Sequence, residues 1–519
     1  MNNCIYFQTY KRKGEKSMKK IAIMDIGSNN SRLILVYIYD NGSYRIADQL
    51  KEPVRLISDM GHDNIIKPRR IQQLIKTIHM FKRLCAANGI EQIYAYCSAA
   101  VNLAANQRSF LDEVYATTQI NLEVLTGEKE ATLAFQGVIN TMDIDNGVIM
   151  DIGGGTTQLV HFEKRQIKNL ACLPFGTVTL TELFGLADKV KQEQIDAIED
   201  FYRQQLDSVP WLSSIEGLPI IGVGGSFRNL GKIMRMKSKK DIGTLHNYSI
   251  RAKEIDAVYE NMCRLDLDRR MKIKGLSNER ADIFLAAFAA IKTTVNYIGC
   301  SDIFISCNGL REGIMFNEID PQLSVKPVQH VLDFSLKNAL GLFQENVEHA
   351  NNVSKLSLLM FEQLRQLHKL PNSYMRIIKT AATLHDIGAT IKYHDHHKHS
   401  FYLILNSNIY GLTHREHLMS AFVALAHRKD DVKKECQRYS DMINSDDLMI
   451  IYRLAVLVRI AESFDRAMDG IVETVSCDIL GDSVIMKTQA KGDASLEIKD
   501  ALTCSEMFKK AYGKNLVIL

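Results

Sequence analysis

Two aspartates in this sequence sit in identical surroundings. Asp25 and Asp151, 126 residues apart, are each the centre of the pentapeptide Ile-Met-Asp-Ile-Gly, at 23–27 and 149–153. Each copy ends an apolar run and opens into small polar residues, Ser28-Asn29-Asn30-Ser31 after the first and Gly154-Gly155-Thr156-Thr157 after the second. An aspartate at a strand end can hold a divalent cation, and N–H groups turned inward around glycines form a nest for phosphate oxygens. One such turn is ordinary hairpin chemistry. A repeat is more, because duplicated halves facing each other bring two phosphate loops and two carboxylates to one cleft.

The elements that must carry these residues follow from the pattern around them. Each pentapeptide is followed by a second apolar run, Leu33 to Tyr39 and Leu159 to Phe162, so each reads as a β-hairpin. After the first hairpin the apolar positions Ile71, Leu74, Ile75, Ile78, Phe81 and Leu84 predict a helix from Pro68 to Asn88. Short strands are expected at 93–97 and 120–125, the latter leading through Gly127 into a helix from Ala131 to Asn140 with acids in its first turn. The second half repeats the plan, with a turn at 173–177, a helix at 189–206, and strands at 219–223 and 303–307 that empty into Gly224-Gly225-Ser226 and Asn308-Gly309. Ligand sites of α/β sheets gather at such strand ends.

Composition bounds the protein that holds this cleft. With 519 residues, 46% hydrophobic and 24% charged, the chain is of ordinary globular make-up and long enough for about three domains. A net charge of +4 over this length does not point to nucleic acid. No apolar run reaches the roughly 18 residues that span a bilayer, and no secretion signal opens the chain. The ten cysteines, among them Cys85, Cys97, Cys172 and Cys300, stand singly and mostly in apolar runs, as reduced core residues of a cytoplasmic protein. Residues 1–17 are polar, basic and without period, and are expected to be a disordered extension or to precede the true start.

Six motifs occur in an order that resembles the exopolyphosphatase and guanosine pentaphosphate phosphatase family: Asp-Ile-Gly-Ser-Asn, Gly-Glu-Lys-Glu-Ala, Asp-Ile-Gly-Gly-Gly-Thr-Thr, Gly-Val-Gly-Gly-Ser with Arg228-Asn229-Leu230, Gly275-Leu276 with Arg280-Ala281-Asp282, and Asn308-Gly309-Leu310-Arg311-Glu312-Gly313. The resemblance implies a two-lobed ribonuclease-H-like α/β fold, of the superfamily of actin, heat-shock chaperone ATPases and sugar kinases. The lobes would be residues 18–143 and 144–320, after an extension at 1–17. It also implies roles. Glu130 would be the general base that takes a proton from the attacking water; Asp25, Asp151 and Gln158 would hold Mg²⁺ or Mn²⁺; and Ser28, Asn29, Asn102, Gly153, Gly154, Gly155, Thr156, Gly225 and Ser226 would cradle phosphates.

Four positions depart from the family pattern. Asn102 stands where an arginine grips phosphate, Gln158 where a glutamate helps hold the metal, Asn30 where a small hydroxyl residue is usual, and Lys129 where the first of two paired acids is usual. Losing one charge-assisted bond is worth about 1.5–3 kcal/mol, or roughly 10- to 150-fold.

Beyond Pro321 the text becomes helical, and ten of the fifteen histidines fall between His349 and His427. His349, His385-Asp386 and an acid beyond 460, here Glu462, follow the order of HD metal-phosphohydrolases. The resemblance extends to the HD-like carboxyl-terminal domain of long exopolyphosphatases, placed at 325–470 with a small α+β appendix at 471–519. In it His396, His397, Lys398, Arg428 and Lys429 would line a polyanion channel, and the domain would form a homodimer contact. The implied activity is release of terminal phosphate from inorganic polyphosphate. Two alternatives stand beside it: hydrolysis of pppGpp by the same site, and a degenerate binder of phosphate chains with little turnover.

Overall fold

A computed structural model describes residues 18–58, 60, 63–238, 242–343, 346–429 and 431–519, so the expected extension at 1–17 lies outside the described residues. Three sheets organise the chain. The first runs in the order β3-β2-β1-β4-β5, with β1 Met18–Ile26, β2 Ser31–Tyr39, β3 Tyr44–Glu52, β4 Gln92–Cys97 and β5 Glu123–Val124. The second runs β10-β11-β9-β6-β7-β8, with β6 Gly147–Ile152, β7 Thr157–Glu163, β8 Gln166–Leu173, β9 Ile220–Val223, β10 Tyr248–Arg251 and β11 Asp302–Ile305. The third runs β12-β13-β14, with β12 Val472–Leu480, β13 Ser483–Ala490 and β14 Asn515–Ile518.

The first two sheets share a plan. An antiparallel meander of three strands is extended on its first strand by parallel strands, β4 beside β1 and β9 beside β6. Ile21 to Met24 and Val148 to Met150 are fully buried, as expected of central strands covered on both faces. The pairing puts the two aspartates in matching places. Asp25 lies opposite Arg32 across its hairpin, and Asp151 lies opposite Gln158 across the other.

Each lobe lends a helix to the other. The helix Gly127–Ile139 buries Ala131, Phe135 and Val138 against Ile149, Val160 and Ile221 of the second sheet. The helix Leu310–Ile319 buries Ile314, Met315 and Phe316 against Ile21, Ile23 and Val36 of the first. The two helices touch through glycine: a β-carbon on Gly137 would stand 2.1 Å from the carbonyl oxygen of Gly309, and one on Gly313 would stand 1.9 Å from that of Leu133.

The helical region follows, with helices 331–343, 347–363, 374–384, 396–406, 414–426 and 445–463 around one apolar core. Val472, Val475, Val484, Met486 and Leu516 of the third sheet belong to that same core, so the tail is fused to the helices by packing. Ser495 to Ile498, expected in a strand-bearing appendix, is helical within Ser495–Leu502. The strand expected at 120–125 shrinks to two residues, since β5 pairs with β4 only through Glu123 and Val124. Cys85, Cys97 and Cys300 are buried, whereas Cys172 is exposed. Among the described residues no helix is long and apolar enough to cross a membrane.

Candidate functional site

The two repeated turns meet. A β-carbon on Gly154 would stand 2.9 Å from Cβ of Ser28, and the glycine lets the second loop close on the first. Asp25 and Asp151 line one cavity of about 110 Å³ between the lobes, together with Glu130, Ser28, Asn29, Gly153, Gly154, Thr156, Gln158 and Gly225. Gly224, with φ +87°, keeps its backbone beside Asp151: a β-carbon there would come 2.5 Å from Oδ1.

Glu130 is aimed by the start of its helix. Thr126 caps that helix, its Oγ1 accepting a hydrogen bond from Lys129 N at 3.2 Å, and Glu128 and Glu130 occupy the first turn. Gln158 then fixes the carboxylate: its Nε2 donates to Glu130 Oε2 at 3.1 Å and to Thr156 Oγ1 at 3.1 Å. Gln158, expected among the metal ligands, thus gives its nitrogen to the Glu130 carboxylate, and only its Oε1 is left for that part. Lys129 is turned away and paired with Glu123.

Burial pushes the Glu130 carboxyl up to about 8, and the charges of Asp151 and Asp25 add to the rise. Asp25 and Asp151 are also raised, by burial first, against the opposing pull of Arg311 and Arg32 on Asp25 and of Arg228 on Asp151. Asp25, Asp151 and Glu130 offer carboxylate oxygens, the ligand type that hard divalent cations take, although the ligand atoms gathered within 4.8 Å of one another lie in the helical region.

Arginines missed in the sequence surround these acids. Arg32 and Arg280 line the same cavity. Both are lowered to about 10, by burial first and then by neighbouring guanidinium groups. A second cavity of about 540 Å³ adjoins the first along Arg32, Gly225 and Arg280, and adds Lys51, Arg228, Lys232 and Arg311. A third, of about 790 Å³, shares Arg228, Lys232 and Arg311 and reaches Asn406, Ser407 and Tyr410 of the helical region. Arg32 was legible as the one cation inside an apolar strand opposite Asp25; Arg228, Arg280 and Arg311 sat unassigned in the recognised motifs.

Other expected site residues fall elsewhere. Asn102 ends a four-residue helix, is exposed, and is outside the lining of the cleft cavity. Gly155 is buried behind the loop, and the Ser226 hydroxyl is buried against Arg280 at 3.5 Å. His396, His397, Lys398, Arg428 and Lys429 line none of these three cavities. His396 lies 3.0 Å from Asp386, Lys398 is paired with Asp395, Arg428 with Glu462 and Lys429 with Glu435. His349, His385, Asp386 and Glu462 do come together, in the core of the helical region.

A two-lobed α/β fold whose facing hairpin turns enclose carboxylates and arginines is actin-like in plan. The profile of the Ppx/GppA phosphatase family matches residues 35–322, and that of Ppx/GppA phosphatase domain III matches 333–510. The chain belongs to the Ppx/GppA phosphatase family. A guanosine-5'-triphosphate,3'-diphosphate pyrophosphatase of Aliivibrio fischeri strain MJ11 is 25% identical over 444 residues, covering 84% of this chain and 86% of that protein. The fold is similar to the crystal structure of the Aquifex aeolicus family member, at TM-score 0.51 and 24% identity over 59% of this chain and 99% of that one. It is also similar to an exopolyphosphatase from Cytophaga hutchinsonii, at TM-score 0.54 and 21% identity over 58% and 98%.

Proposed function

We propose that the cleft hydrolyses the terminal phosphate of inorganic polyphosphate. The observation that carries this reading is the continuity of the cleft cavity, where Glu130 sits, with two larger cavities lined by Arg32, Lys51, Arg228, Lys232, Arg280 and Arg311. A run of cations leading to one carboxylate base suits a long polyanion cut at its end. Ser28, Asn29, Gly153, Gly154 and Thr156 hold the terminal phosphate, and Arg32 and Arg280 neutralise its oxygens. Glu130, positioned by Gln158, takes the proton of a water that attacks the terminal phosphorus; the bridging P–O bond breaks and orthophosphate leaves. Asp25 and Asp151 would hold Mg²⁺ or Mn²⁺, which supplies charge neutralisation at the phosphate. The cations that extend the site thus stand in the cleft's own cavities, in place of the histidine-rich loop. The HD-like kinship of the helical region and its use as a dimer contact are part of the same proposal.

A second reading, removal of a phosphate from pppGpp, is favoured by the name of the Aliivibrio relative. Phosphate release from long polyphosphate with Mg²⁺, run with pppGpp as competitor, tests both. Release from long chains that pppGpp inhibits only weakly supports the first, and faster release from pppGpp replaces it with the second. Tight binding without release by either would leave the degenerate binder.

A further inference from the structure

The helical region holds a second cluster that the cleft chemistry does not use. Five helices deliver it: His349 from 347–363, His385 and Asp386 at the end of 374–384, His396 at the start of 396–406, His427 at the end of 414–426, and Glu462 from 445–463. Gly388 lets the turn after Asp386 lie against the helix that begins at His396, for a β-carbon there would stand 2.2 Å from the His396 carbonyl oxygen. Two sets of side-chain atoms result, each within 4.8 Å of one another: His349, His385 and Asp386, and Asp386, His396, His427 and Glu462.

The four imidazoles are oriented alike. His349 Nδ1 bonds Asp465 Oδ2 at 2.6 Å, and Asp465 Oδ1 accepts from Gly470 N at 2.8 Å. His385, His396 and His427 donate Nδ1–H to the carbonyls of Ala382, Tyr393 and Ala424 at 2.8, 3.1 and 2.5 Å. A ring that donates through Nδ1 presents a lone pair at Nε2, the arrangement of a metal-ligating histidine held by an outer partner. All four Nε2 atoms are buried; those of His349, His385 and His427 have no hydrogen-bond partner, while His396 Nε2 stands 3.0 Å from Asp386 Oδ1. Leaving three such atoms unpaired is costly, and one feature relieves them all.

We propose that this cluster is a two-metal centre for first-row transition ions, with Asp386 bridging an ion held by His349 and His385 to an ion held by His396, His427 and Glu462. The spacing suits it. His349 Nε2 is 3.8 Å from Asp386 Oδ2, His385 Nε2 3.8 Å and His396 Nε2 3.0 Å from Asp386 Oδ1, and His427 Nε2 3.5 Å from Glu462 Oε2. Ligands each about 2.0–2.2 Å from one ion stand roughly 3–4 Å apart. Arg428 holds one Glu462 oxygen, and the other, Oε2, which faces His427, also accepts from Arg459 at 3.3 Å, so the carboxylate is oriented by two arginines and offers a single oxygen lone pair. Imidazole-rich donors select iron, cobalt, nickel or zinc over the magnesium or manganese that suits the all-oxygen cleft. His396 thus leaves the polyanion channel to which its sequence assigns it.

The test uses the full chain, stripped with chelator, reloaded with Co²⁺ and desalted. We expect about two bound equivalents with visible absorption typical of nitrogen ligation. His385→Ala and His427→Ala should each lose at least half of the bound metal while keeping phosphate release at the cleft, which also reports that they fold. Glu130→Gln should keep both ions, so failure of the cleft reading is separate from failure of this one. Less than about half an equivalent bound by the unaltered chain, or the weak spectrum of all-oxygen ligation, overturns the proposal without recourse to any variant. Unchanged retention in both histidine variants also overturns it.

Discussion

Acids are enclosed both in the cleft and in the core of the helical region, and burial acts on them in opposite company. In the cleft, Glu130 is lifted to about 8 because burial is joined by the charges of Asp151 and Asp25. In the helical region, burial alone would lift Asp386 and Glu462 too. Their histidine neighbours outweigh it, holding Asp386 far below the usual carboxylate range and Glu462, with help from Arg428, at about 2. The lesson is that depth does not set a buried acid's character; its nearest charged groups do. The two sites also differ in assembly, since the cleft needs two lobes to meet and the histidine cluster lies within one helical core.

The largest expected effect separates the two. Glu130→Gln should lower phosphate release by roughly 10²- to 10⁴-fold, the span typical of a lost general base, while polyphosphate binding persists in a filter or titration assay. Equal activity would remove the base from the cleft and leave its arginines as a binding site. Arg280→Gln comes next, with a loss of roughly 10- to 150-fold in kcat/KM, because one charge-assisted contact to phosphate is gone. An unchanged kcat/KM would take the substrate away from that wall.

Assembly is tested at the seam between the lobes. Gly313→Ala forces a methyl group against the Leu133 carbonyl and should destabilise the protein by about 1–3 kcal/mol in a denaturant melt, with the Glu130 helix displaced and phosphate release reduced. Metal retention in the helical region should not change.

The smallest effect is one of sign. His246 and His417 are each lowered to about 4 by burial. As pH falls from 6.5 towards 4 the unfolded chain takes up protons that the fold excludes, so their stabilisation is present above 6.5 and lost below it, by up to about 1.4 kcal/mol per pH unit per residue. Glu130 acts the other way. With its folded value raised to about 8, the cation-free cleft holds a proton that the unfolded chain releases, so stability declines as pH rises from 4.5 to 8. Melts against pH should show the acid-side loss reduced in His417→Gln and the alkaline-side loss reduced in Glu130→Gln.

Much of this was legible in the letters. The duplicated hairpins could be read from two identical pentapeptides, and the helix beside Glu130 from Gly127 and the first-turn acids, whereas its Thr126 cap emerged with the fold. The strands β3 and β8 were not, because Tyr44–Glu52 and Gln166–Leu173 are edge strands, the first largely exposed and the second about half-buried, with weak apolar alternation. The basic channel was sought in the histidine-rich loop, where cations are dense along the chain. The cavities at and beside Glu130 are lined by arginines scattered between Arg32 and Arg311, which only folding gathers.

Residue types and their spacing therefore determined the paired hairpins, their aspartates and the first-turn position of Glu130, since these rest on local turns and strand ends that short motifs encode. Tertiary structure alone decided that Gln158 grips the base, that Arg32 and Arg280 flank it, and that His396 and His427 join His349, His385 and Asp386. Those contacts join elements tens to hundreds of residues apart, and no local pattern in a chain records which distant side chains burial will make neighbours.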